Sequence, residues 1–121
     1  MVAELKQAVI AADALLVVSP EYNVGVPAVM KNAIDWLSRP YGNGAIVGTA
    51  TGIISASPGG RGGVGARAHL ADSLGVLTDR LYPETLGLAK MFGRITDGEL
   101  DGDALAELMS WFGRFRDFAT G

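Results

Sequence analysis

The stretch "VVSPEYNVGVPAVMKNAIDW", residues 17–36, decides how this chain reads. Leu15, Leu16, Val17 and Val18 run without a polar break into Ser19 and Pro20. A short apolar run of that kind is expected of a strand covered on both faces. Pro27 then opens a helix, since a first-turn proline loses no hydrogen bond. Met30, Ala33, Ile34 and Leu37 lie on one face of that helix. Between strand and helix stand Glu21, Tyr22 and Asn23, three large polar residues in a row. A simple turn requires less, and a ligand loop is the functional reading. The structural alternative is that Glu21 caps the next helix and Tyr22 packs on it.

Outward from this segment, residues 2–12 place Leu5, Ala8, Val9 and Ala12 on one helical face. On the other side, Asp35 and Arg39 are spaced to pair at i, i+4. A second strand reads at residues 51–55, followed by the glycine-rich "SPGGRGGVG" and a helix from about Val64. That helix turns Leu70, Ala71, Leu74 and Leu77 inward. A third strand is expected at residues 80–84, and residues 89–98 read as irregular. Asp101 is the expected N-cap of a last helix. Its apolar face comprises Leu105, Leu108, Met109, Phe112 and Phe115.

Helices and strands alternate, which implies a parallel sheet with helices on both sides. Ligands then bind at the carboxyl ends of the strands. The loops "SPEYNVGVP" and "SASPGGRGG" both leave such ends and are expected to lie side by side. Tyr22 offers a ring to stack on, Asn23 a donor and an acceptor, and the glycines a close approach to backbone N–H groups. This suits a planar heteroaromatic ligand with polar edges. Gly60, Gly62 and Gly65 also spell G-x-G-x-x-G, with Glu84 about 20 residues on. In a dinucleotide fingerprint the first glycine turns directly off the strand, whereas here Ser57, Pro58 and Gly59 intervene.

Composition narrows the function. The chain has 121 residues, the length of one domain (1–121), with 49% hydrophobic and 19% charged residues. A net charge of -3 disfavours a nucleic-acid partner. There is no cysteine, and the single histidine, His69, cannot build a His-rich metal site alone. No apolar run approaches a membrane span, and no secretory signal opens the sequence. The expectation is a soluble, cytoplasmic protein without a metal.

"PEYN", "P" and "MKNAIDW", followed by "SASPGGRGG" and later "PET", resemble the NAD(P)H-dependent FMN reductases. These are flavodoxin-like quinone, chromate and azo-dye reductases, and the resemblance covers residues 2–112. It implies a three-layer αβα fold. It also implies an enzyme passing electrons from NADH or NADPH through FMN to a small acceptor, such as a quinone, azo compound or metal oxyanion. By resemblance, Pro20, Glu21, Tyr22, Asn23 and Val24 run along the flavin ring, and Ser57, Gly59 and Gly60 close its other edge. Glu21 is then a positioning residue, and no side chain is catalytic. Arg67 and His69, on the following helix, are read as structural or interfacial. The family also associates through helices flanking the flavin, here residues 30–36, which implies a dimer or tetramer.

Two departures stand out. Family members begin with a strand and a Ser/Arg/Asn turn that grips the FMN phosphate. Almost nothing precedes Val2, so the fold is expected to be N-terminally truncated, lacking strands 2 and 1 of the order 2-1-3-4-5. Thr78 stands where the family tends to have glycine, with strain expected if φ there is positive. Two alternatives remain open: a non-catalytic half-domain acting through a partner chain, and a one-electron flavodoxin carrier. The mild charge disfavours the carrier.

Overall fold

The computed structural model describes residues 1–121. Four helices and three parallel strands alternate along the chain: α1 (Val2–Ala11), β1 (Ala14–Ser19), α2 (Ala28–Leu37), β2 (Ala50–Ala56), α3 (Val64–Gly75), β3 (Leu86–Leu88) and α4 (Gly102–Thr120). A 3-10 turn (Met91–Gly93) and a small hairpin, β4 (Ile95–Thr96) and β5 (Glu99–Leu100), separate β3 from α4. The sheet order is β1-β2-β3, with Ala14 opposite Ala50 and Ser19 opposite Ser55. No helix is long and apolar enough to cross a membrane.

Alternation along the strands builds the layers. Val17 of β1 and Ile53 of β2 face one way, against Val9, Ile34, Leu37, Leu70 and Leu74 of α1, α2 and α3. Leu16 and Ile54 face the other way, against Trp111 and Phe115 of α4. Successive side chains of a strand point to opposite faces, so an unbroken apolar run serves both cores. Gly52 makes the second core possible. A Cβ there would stand 2.8 Å from the Trp111 indole and 2.9 Å from the Phe115 ring.

The helices and the first two strands lie close to where the sequence places them, but α3 ends at Gly75, so Leu77 lies beyond it and not on its inward face. Asp101 is the N-cap of α4, its Oδ1 accepting the Ala104 N–H at 2.7 Å. Residues 89–98, expected to be irregular, hold the 3-10 turn and β4. Four further expectations are corrected. The third strand is Leu86–Leu88, not residues 80–84. Pairing does start earlier: Thr51 N–H donates to Arg80 O and Tyr82 N–H to Thr51 O. Pro83 then has no N–H to continue the ladder, which resumes with Leu86 opposite Ile54. Asp35 pairs with Lys31 at 2.8 Å rather than with Arg39, whose guanidinium donates to Ser38 Oγ. The buried face of α4 is Ala104, Trp111 and Phe115, while Leu105, Met109 and Phe112 stay exposed. Thr78 is not strained. It is absent from the positive-φ positions, and its buried hydroxyl donates to Thr49 O and accepts from Arg80 N–H.

Candidate functional site

Both unusual loops leave the carboxyl end of the sheet, and they touch. The first is closed by a two-residue turn. Tyr22 N–H donates to Gly25 O at 2.9 Å and Gly25 N–H to Tyr22 O at 3.0 Å. Between them Asn23 and Val24 both have positive φ, 51° and 68°. That is the pattern of a type I′ turn, which reverses the chain most tightly. It lifts Tyr22 and Val24 into solvent, with 60% and 62% of their surface exposed.

Glu21, at the base of this turn, reaches across to the second loop. Its Oε2 accepts the N–H groups of Gly65 at 2.7 Å and Ala66 at 3.1 Å, in the first turn of α3. The N-cap of α3, Gly63, has no side chain to supply an acceptor. A carboxylate from a loop 44 residues away in sequence supplies it, and its charge suits the positive end of the helix. Glu21 thus caps a helix, though not the one that follows it in sequence, and Tyr22 does not pack beneath it. Gly65 has no room for a side chain, because a Cβ would overlap Val24 O and the Glu21 carboxylate.

The second loop is pinned from its far side. Ser57 N–H donates to Leu88 O, Lys90 N–H to Gly59 O, and Met91 N–H to Ser57 O. Beneath it, Gly62 O accepts from both Ser55 Oγ and Arg67 Nη1. Gly59 and Gly60 are free of crowding: no atom lies within 4 Å of a Cβ at Gly59, and at Gly60 only Lys90 Cε at 3.9 Å. The glycines of the G-x-G-x-x-G match do different work. Gly62 packs on Gly87 and Gly65 on the first loop, so they do not line a phosphate cradle. Glu84, which such a cradle would need for a ribose, is paired with Arg114.

Pro20, Glu21, Tyr22, Asn23 and Val24 therefore stand on one loop, and Ser57, Gly59 and Gly60 on its neighbour. The N–H groups of Asn23, Val24, Gly59 and Gly60 donate to no protein acceptor. Free donors on both loops and an exposed phenol on the first are the kinds of group that the polar edges and flat face of an isoalloxazine ring call for. His69 is on the periphery, its Nδ1 3.4 Å from Val26 N. The two largest cavities, about 570 Å³ each, lie elsewhere. One is lined by Asp13, Thr49 and Arg80 at the amino ends of the strands, the end opposite these loops. The candidate site is an open shelf. The sequence reading missed how closely the segment after β3 is tied to it.

A parallel sheet between helix layers, with its special loops at the carboxyl ends, defines the flavodoxin-like α/β class. The chain belongs to the NADPH-dependent FMN reductase family, which it matches over residues 1–90. It is similar to a quinone reductase of Pseudomonas putida, 53% identical over 62 residues, 51% of this chain and 33% of that one. A 2-hydroxy-1,4-benzoquinone reductase of a Burkholderia species is 48% identical over 65 residues, 54% of this chain and 36% of that one. The NADH:(hydroxy)cinnamate reductase subunit CrdA of Vibrio ruber is 34% identical over 109 residues, 86% of this chain and 53% of that one. Among solved structures, FerB of Paracoccus denitrificans, a flavoenzyme NAD(P)H:(acceptor) oxidoreductase, superimposes with a TM-score of 0.80. It is 34% identical and covers 98% of this chain and 67% of its own. The chain spans about a third to a half of the length of these curated relatives.

Proposed function

We propose that the two loops form the ring-side part of an FMN site in an NAD(P)H-dependent oxidoreductase that reduces a small acceptor. Quinones come first among acceptors, because relatives named as quinone reductases are 52–53% identical over half of this chain; azo compounds and metal oxyanions remain in the class. The observation that carries this reading is the pair of loops held together by Glu21, with unpaired N–H donors on each.

When bound, FMN supplies the redox chemistry, accepting hydride from the nicotinamide and passing electrons on. The chain's own part is to bind and orient. Tyr22 offers a stacking face, and the N–H groups of Asn23, Val24, Gly59 and Gly60 offer fixed dipoles to a ring that gains negative charge. Pro20 sets the exit from β1, and Ser57 fixes the second loop to β3. No protein acid or nucleophile is required. The proposal includes a cytoplasmic homo-oligomer, dimer or tetramer, joined through α2, where Val29 and Trp36 are exposed.

A second reading is a non-catalytic half-domain that acts through a partner chain. Flavin content of the purified chain, measured with NADPH oxidation in the presence of a benzoquinone, separates the two. Bound FMN and quinone-dependent oxidation are expected. Absence of quinone-dependent oxidation, with or without bound flavin, would overturn the first reading and favour the second.

A further inference from the structure

Arg67 occupies an unusual position. Its guanidinium fills the space that Gly87 leaves by lacking a side chain; a Cβ there would coincide with it. From that seat Nη1 donates to Ser55 Oγ at 2.9 Å and to Gly62 O at 2.5 Å, and Nε donates to Thr85 Oγ1 at 3.1 Å. One side chain thus joins the end of β2, the turn before α3 and the lead-in to β3. Glu21 faces the same turn from the first loop and holds Gly65 and Ala66. Burial lowers the pKa of Arg67 and the charge of Glu21 opposes the shift. The cation is therefore partly desolvated and retained by its fixed acceptors.

We propose that Arg67 is a positioning residue that sets the spacing of the two loops, and so of the N–H donors they offer a flat ring on the open shelf. The shelf's identity as a flavin site rests on the function proposed above; the clamp itself does not. Arg67 fixes Gly62, Gly62 leads through Gly63 to Gly65, and Gly65 carries Glu21 and the first loop. The planar fork makes this possible. Lysine keeps the charge but cannot meet three separated acceptors in one plane.

The test compares the wild-type chain with R67Q, R67K and the control R61Q. Arg61 is an exposed cation on the same loop, outside the clamp. Amide hydrogen exchange and riboflavin titration are measured on each. In R67Q and R67K, exchange at Gly65 and Ala66 should quicken at least tenfold, while Ile53 and Leu70 stay within twofold. Riboflavin should bind at least tenfold more weakly to both, and R61Q should resemble wild type. Unchanged exchange in R67Q would overturn the clamp. So would full recovery of exchange and binding in R67K, which would leave charge alone as the cause. Faster exchange with unchanged riboflavin affinity would overturn the link from clamp to ring binding. Absence of flavin binding by wild type would instead sink the proposed function, with exchange still deciding the clamp.

Discussion

At Val24 a β-branched residue sits at φ 68°, a conformation that costs such residues roughly 1–3 kcal/mol. Glycine would relieve that strain but add about 0.4–1 kcal/mol of chain entropy to the unfolded state. Strain is the larger effect, so V24G should raise stability by about 1 kcal/mol, read as a higher denaturant midpoint. A lower midpoint would show that the valine side chain contributes more than its backbone costs. Gly65 gives the opposite case. A methyl group there meets a backbone carbonyl and the Glu21 carboxylate, neither free to retreat. G65A should cost about 1–3 kcal/mol, as overpacking does, and an unchanged unfolding midpoint would contradict the loop contact. The turn itself was hidden in the sequence. "YNVG" puts valine where a type I′ turn calls for glycine, and no local rule predicts that. A capping role for Glu21 was legible in the sequence, but not the helix it caps, since its partners lie 44 and 45 residues away.

Elements were legible where a local signal and the core agreed. The runs at β1 and β2 and the Asp101 cap carry their own signals. β3 was misplaced because residues 80–84 do begin to pair, and only the ladder's registry shows Pro83 interrupting it. In the Asp97–Gly98 hairpin both residues have positive φ, the conformation that a D-G pair favours. Trp111 was missed because its burial depends on Gly52, a residue on another element. G52A should cost about 1–3 kcal/mol by forcing Trp111 and Phe115 off the sheet. The segment before β3 is also tied to α4 by Glu84 and Arg114, with Nη2 to Oε2 at 2.5 Å. Hydrogen bonding from Arg114 lowers the pKa of Glu84. Stability from this pair is present above the ordinary glutamate pKa and is lost as pH falls through the lowered one. E84Q should therefore be less stable than wild type near pH ~7, with the gap closing as pH falls below the ordinary glutamate range. A gap that persists in acid would show that charge is not its source.

Across the molecule, the parallel sheet ends at β1, whose outer edge has no neighbouring strand. Val18 is 57% exposed beside an apolar groove of about 310 Å³ between Leu16, Phe112 and Phe115. Open apolar edges pair with other chains. Light scattering on the 121-residue chain should show association rising with concentration. V18K should reduce it, and a clean monomer at high concentration would contradict the expectation. The alternation of helices and strands made the layers and the placement of both loops readable. How the two loops are held together was not readable, because that depends on contacts between residues far apart in sequence. The account stands or falls on whether these loops recognise the flavin ring. The direct measurement is a paired titration of the 121-residue chain with riboflavin and FMN, followed by fluorescence. Riboflavin should bind, with FMN favoured by no more than about tenfold, about 1.4 kcal/mol. No riboflavin binding, or an FMN preference of roughly a thousandfold, about 4 kcal/mol, would place recognition on the phosphate and contradict it.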